Sequence, residues 1–135
     1  MSGKAVVISQ HGPIPHFFTT IKQHGALLAK GRILGLQFDE LFSDGLYMHI
    51  GEPAIDAAEK IRAALSANGF DLRFGFPTNQ IFCKIENSKL EKLSEHIEYS
   101  FWEKYDDSHT IIRFATSWAS TENDTQKLIG IICKL

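Results

Sequence analysis

The spacing of apolar side chains along the chain changes twice. Residues 4–9, "KAVVIS", form a short continuous apolar run of the kind expected for a strand buried on both faces, and "HGPIP" breaks it. From His16 to Phe42 apolar residues recur at threes and fours: Phe17, Phe18, Ile21, then Leu27, Leu28, then Ile33, Leu34, Phe38, Leu41, Phe42. That is helical spacing, and Gly25 divides it into two helices. A third helix runs to Asn68, with Ala54, Ala58, Ile61 and Leu65 on one stripe and Asp56, Glu59, Lys60 and Arg62 largely off it. Pro53 belongs near its start, and the Asn68-Gly69 pair is its stop signal.

After Gly69 the period shortens. "DLRFGF" and "QIFCKIE" read as strands around the "PTN" turn. "NSKLEKLSE" reads as a short helix opened by Ser88, with Glu91 three residues on as in a capping box. Residues 97–118 contain two strands joined by "DDS" in a hairpin. Thr121 then caps a final helix with Asp124 in its first turn and Leu128, Ile132 and Leu135 on one stripe. The order is strand, three helices, two strands, helix, two strands, helix. Strands following helices predict an α+β fold: linking helices, then a small antiparallel sheet over residues 70–116 with helices on one face. The first strand stands apart, because it is short, wholly apolar and followed by helices. It reads as the last strand of another domain.

Composition changes this picture little. The chain has 135 residues, 44% hydrophobic and 22% charged, which suits a globular core. A net charge of -2 and a pI near 6.3 supply no basic field, so neither nucleic acid nor a membrane surface is an expected partner. Cys83 and Cys133 lack metal-ligand spacing, which points to a reduced, cytoplasmic chain without a metal site. The N-terminus has no signal-peptide core, and no stretch approaches 18 apolar residues, so no membrane span is expected.

Candidate chemistry is sparse. Nucleotide, acyl-transfer and zinc-hydrolase motifs are absent, and the six histidines are scattered without ligand spacing. "KQHGALLAKGRILG" gathers Lys22, His24, Lys30 and Arg32 among glycines. It reads either as a solvated helix face, with Gly31 and Gly35 permitting close packing, or as an anion site, with phosphate as one candidate anion. "HTIIRFATSWAST" sets Arg113 inside an apolar strand. A half-buried guanidinium keeps its charge and needs an anion, which Glu103, Asp106 or Asp107 could supply, or a ligand. On a strand Arg113 shares a face with Ile111 and Ala115, while Ile112 and Phe114 share the other. If Phe114 packs on helices, Arg113 faces away from them.

Taken in order, "KQHGALLAKGRILGLQFDELFSDGLY", "PTNQIF", "FWEKYDD" and "IIRFATSWAS" resemble the C-terminal portion of the threonine aldolase and aromatic amino acid β-eliminating lyase family. The resemblance covers nearly the whole chain. It implies the C-terminal domain of an aspartate-aminotransferase-like fold, with pyridoxal phosphate as cofactor in the complete enzyme. Residues 1–15 would be the last strand and exit loop of an N-terminal large domain, 16–69 linking helices, and 70–135 the small C-terminal domain. In this family the Schiff-base lysine precedes a strand similar to "GKAVVI". Lys4 lies beyond that position and is not assigned the role, so no catalytic residue is expected here and the isolated chain is expected to be inactive. By the same resemblance Arg113 would hold the α-carboxylate of an amino-acid substrate, and Arg32 would contact the cofactor. The implied reaction is cleavage of a β-hydroxy amino acid to glycine and an aldehyde, or a β-elimination, in a homo-oligomer. The alternative is an autonomous, non-catalytic α+β module that binds a small carboxylate or a partner.

Overall fold

The computed structural model describes Val7, Ser9, Gly12 and residues 14–135. Apart from Val7 and Ser9, the strand expected at 4–9 lies outside the described residues. The chain divides into two compact units, Met1–Met48 and His49–Leu135.

The first unit contains α1 (Phe17–Gln23) and α2 (Arg32–Phe42), and the one-turn helix α3 (Leu46–His49) falls at its boundary with the second. Gly25 ends α1 by a specific device. At φ 68° it takes the left-handed conformation, its N–H reaches the Lys22 carbonyl, and the Ala26 N–H reaches that of Ile21. This 5→2 and 6→1 pair is the Schellman closure, and glycine adopts the required conformation at no Cβ cost. No side chain among residues 14–48 is buried.

The second unit begins with α4 (Glu52–Ala67), whose Pro53 sits in the first turn where a missing N–H costs nothing. Its end repeats the same closure, with Gly69 at φ 78° bonding Ser66 and Phe70 bonding Leu65. Then come β1 (Asp71–Arg73), β2 (Gln80–Glu86), α5 (Asn87–Ser94), β3 (Ser100–Lys104), β4 (His109–Ala115) and α6 (Glu122–Ile132). The four strands form one antiparallel sheet in the order β1-β2-β4-β3. The two central strands alternate, and their inward set is Ile81, Cys83, Ile85, Ile112 and Phe114. These meet Ala58, Ile61 and Leu65 of α4, Leu93 of α5 and Ile132 of α6 in one core. Each such aliphatic side chain removed from water contributes about 1.5–3 kcal/mol, so this face holds the unit together. The α+β architecture with helices on one face of a small antiparallel sheet is the one the sequence predicts.

Three details differ from the sequence reading. The helix stripe ending at Asn68 packs on α6 and β1 as part of the sheet unit. The "DLRFGF" strand stops at Arg73, because Phe74 enters the left-handed region at φ 53° and leaves the ladder. Ser88 does not cap α5. The helix starts two residues earlier, after Glu86 in place of Ser88, with no side-chain cap, and the Ser88 hydroxyl donates to the Glu86 carboxylate. Asn87 is drawn into that start by the hairpin turn: its N–H bonds the Ser108 carbonyl and its amide oxygen accepts from Thr110. Thr121 does cap α6, accepting from the Asp124 N–H at 3.1 Å.

Two measurements check this core. Ile112→Ala should lower unfolding free energy by about 2–5 kcal/mol in denaturant titration, since a fully buried branched side chain is replaced by a cavity. Burial, with a smaller contribution from the Asp71 charge, pushes the Cys83 thiol up to about 12, while Cys133 is exposed. In native buffer at pH 8 one thiol per chain should therefore react promptly with a thiol reagent, and the second only after unfolding.

Candidate functional site

Arg113 is placed by its neighbours. Ile112 and Phe114 are drawn into the helical side of the sheet, so the alternation of β4 turns Arg113 to the opposite face. There the guanidinium is half-buried and has only neutral partners. Its Nη1 donates to the Gln80 Oε1 at 3.3 Å and its Nη2 to the Ser100 Oγ at 3.4 Å, while the Trp102 ring lies 5.8 Å from its central carbon. The Nε is buried without a partner. Among the described residues no carboxylate comes within ion-pair distance of it. Asp106 is taken by the turn, Asp107 pairs with Lys104 at 2.7 Å, and Glu103 makes no ion pair among the described residues.

Each partner has a topological cause. Ser100 is the residue directly opposite Arg113 in the β3–β4 ladder. Gln80 lies diagonally across β2, because Phe82 is the direct partner there. Trp102 is the extra residue of a β-bulge: Phe101 faces Ile112 and Glu103 faces Ile111, which leaves Trp102 unpaired. A bulge re-aims a side chain, and this one sets an indole beside a guanidinium. Trp102 meets Phe82 edge-on at 4.8 Å, and Phe82 meets Phe74 edge-on at 5.3 Å. Behind Gln80, one Arg62 nitrogen gathers the carbonyls of Phe76, Thr78 and Gln80, pinning the loop that enters β2.

A cleft of about 480 Å³ opens beside Arg113, lined among others by Glu98, Tyr99, Ser100, Thr116, Asp124 and Leu128. Among the described residues Arg113 is the one cation of this recess; Glu98 and Asp124 also line it, neither within ion-pair distance of the guanidinium, and Asp124 is engaged by Thr121 and Lys127. Its lining includes no lysine. Elsewhere Lys60, Lys84, Lys104 and Lys127 are engaged with Glu122, Asp71, Asp107 and Asp124. The cleft residues therefore fit the carboxylate of an amino acid, and they do not fit the covalent anchorage of pyridoxal phosphate.

The second basic group sits in the first unit. Lys22 lies in the last turn of α1, His24 is its C-cap, Lys30 is in the following turn, and Arg32 opens α2. All four are exposed, and Arg32 makes no hydrogen bond or ion pair among the described residues. A cation in a first turn meets the positive end of the helix dipole, so Arg32 is not there to stabilise α2. A Cβ at Gly35 would meet nothing within 4 Å, so within the described residues no close packing explains that glycine. Gln80, Ser100 and Trp102 are absent from the sequence reading, since nothing in a strand pattern distinguishes them from ordinary surface positions.

Comparison with known proteins bears on this geometry. No family model matches the chain, and no curated protein does. A solved structure of threonine aldolase from Leishmania major matches with a TM-score of 0.85 and 32% identity, over 90% of this chain and 35% of that one. The chain is similar to a C-terminal portion of the threonine aldolases. It spans about a third of the length of that threonine aldolase. Among the described residues no helix is long and apolar enough to cross a membrane, and no cluster of His, Cys, Asp or Glu could hold a metal.

A histidine, an aspartate and a serine also meet in this unit, and their geometry is that of a turn. The Asp106 carboxylate accepts from the N–H groups of Ser108 and His109 at 2.8 and 2.7 Å, and from the His109 Nδ1 at 3.0 Å. These bonds, the Ser108 N–H first, lower its pKa from 3.8 to about 2. A depressed carboxyl contributes stability that is present above pH 4 and lost as pH falls through 2. Asp106→Ala should flatten the pH dependence of stability in that window, and the Asp106 carboxyl carbon should titrate near 2 by NMR.

Proposed function

We propose that the chain is the substrate-holding C-terminal portion of a pyridoxal-phosphate-dependent lyase of the threonine aldolase kind, with Arg113 as the anchor for the substrate α-carboxylate. The observation that carries this reading is a half-buried guanidinium beside a cleft, with no carboxylate within ion-pair distance of it among the described residues. A structural arginine in that position would be paired, because an isolated buried charge is costly. A guanidinium and a carboxylate make two parallel hydrogen bonds, which hold the amino acid in one orientation about Cα.

The cofactor and its covalent anchor belong to residues outside this cleft, in a large domain that completes the enzyme. Arg32 is this chain's proposed contact to the cofactor, supported by an exposed, unpaired cation at a helix start where dipole energetics give it no structural reason to be. The reaction is proposed as cleavage of a β-hydroxy amino acid to glycine and an aldehyde, in a cytoplasmic homo-oligomer. The unburied side chains of residues 14–48, with Phe18, Ile33 and Met48 each more than 60% exposed, support covering by the remainder of the enzyme or by a second subunit. On this reading the isolated chain is inactive. The core of the second unit favours one other reading, a self-sufficient module that binds small carboxylates through the same arginine without any lyase chemistry.

Arg113→Lys tests the anchor. In the complete enzyme it should lower kcat/KM for β-hydroxy amino acids by about 10²-fold, because a point charge cannot reproduce two parallel bonds. Stability should change by no more than about 1 kcal/mol, since the internal partners, Gln80 and Ser100, are neutral, only partly buried and held by long bonds. Unchanged kcat/KM would remove Arg113 from substrate binding. Activity lost in step with stability would make it structural.

A further inference from the structure

The side chains that contact the Arg113 guanidinium have a property that the anchor role alone does not require: all three are uncharged. We infer that Gln80, Ser100 and Trp102 form a neutral cradle that fixes the guanidinium in place while leaving its charge unspent, so that Gln80 is a positioning residue for carboxylate binding. The inference rests on the reading of Arg113 as the carboxylate anchor and extends it to the groups that make the anchor work.

A guanidinium has five N–H donors, one on Nε and two on each terminal nitrogen. Here Nε is buried and unpartnered, one hydrogen of Nη1 goes to Gln80, and one of Nη2 goes to Ser100. One hydrogen remains on each terminal nitrogen, so two donors are left for a carboxylate. Both tethers are long, at 3.3 and 3.4 Å, so they orient without holding tightly. The third side of the cradle is the Trp102 face, which attracts a cation without supplying a counter-charge.

The cradle is itself supported. Arg62 gathers three carbonyls of the loop into β2, Gln80 among them, and so fixes where the amide can reach. Trp102 is brought in by a bulge and backed by Phe82, which is backed in turn by Phe74 in a left-handed conformation that a bulky side chain rarely adopts. Local strain and a bulge at one spot mark a place where geometry is held against local preference.

The amide at position 80 is the informative element. A glutamate has the same length and would reach the same nitrogen. As a structural partner it would be superior, because it would neutralise the cation. As part of a binding site it would be ruinous, because it would occupy the guanidinium and repel an incoming carboxylate. The two roles therefore give opposite results for one substitution.

The experiment uses the 135-residue chain, with threonine as the carboxylate probe and the indole N–H shift of Trp102 as readout; Trp118, which makes no contact with Arg113, serves as internal reference. In the wild type the Trp102 signal should move saturably with threonine. Gln80→Glu should weaken threonine binding by about tenfold or more while thermal stability holds or rises. Gln80→Met, which removes the acceptor without adding charge, should weaken it only a few-fold and keeps the question answerable should the glutamate variant fold poorly. Gln80→Glu that binds threonine as the wild type does would overturn the cradle, as would Gln80→Met that weakens binding as much as the glutamate. The underlying anchor is read separately from Arg113→Lys. If that variant binds as the wild type does, or if the wild-type Trp102 signal never responds, the anchor fails and the cradle with it. If Arg113→Lys weakens binding and Gln80→Glu does not, only the cradle fails.

Discussion

Burial of the inner face of β4 against α4 and α6 is the constraint on which the second unit depends. Ile112 and Phe114 are held there by the same core that contains Ile61, Leu65 and Ile132. Because strand side chains alternate, satisfying those two residues leaves Arg113 no choice of side. A slip of one residue would put the arginine into an aliphatic core and displace two hydrophobes from it, so the position of the guanidinium is secured by apolar packing on the other face.

The opposite face of the sheet is then set by pairing. Antiparallel register places Ser100 opposite the arginine and Gln80 on the diagonal, and the bulge at Trp102 completes the surround. Among the described residues, no acid comes within ion-pair distance of Arg113, although Glu98 and Asp124 line the same cleft. Asp106 is consumed by its turn, where it closes two backbone N–H groups, and Asp107 answers Lys104. That disposal of carboxylates keeps the guanidinium available, and the depressed pKa of Asp106 reflects the tightness of its own engagement.

The first unit obeys a different economy. Its first helix is ended by a glycine closure that is local in cause, yet none of the side chains of residues 14–48 is buried. Local geometry has specified the helices, and packing within those residues has not completed them. The chain matches about a third of the length of the Leishmania major threonine aldolase.

Features whose cause lies within a few residues are legible in the sequence. The Gly25 and Gly69 stops, Pro53 in a first turn, the Thr121 cap, the strand alternation around Arg113 and the α+β order all depend on short-range spacing, which the chain states directly. The resemblance to threonine aldolase is readable for the same reason, as an ordered set of local motifs. The Ser88 capping box misleads because a hairpin more than fifteen residues away recruits Asn87 and moves the helix start. Whether Arg113 meets a carboxylate is not decided by spacing either, since Glu103, Asp106 and Asp107 all stand close enough in sequence to pair. Only the tertiary structure chose Gln80, Ser100 and Trp102 instead. Strand register, a bulge and a loop pinned by Arg62 act between residues distant along the chain, and those contacts exist only once the sheet has closed.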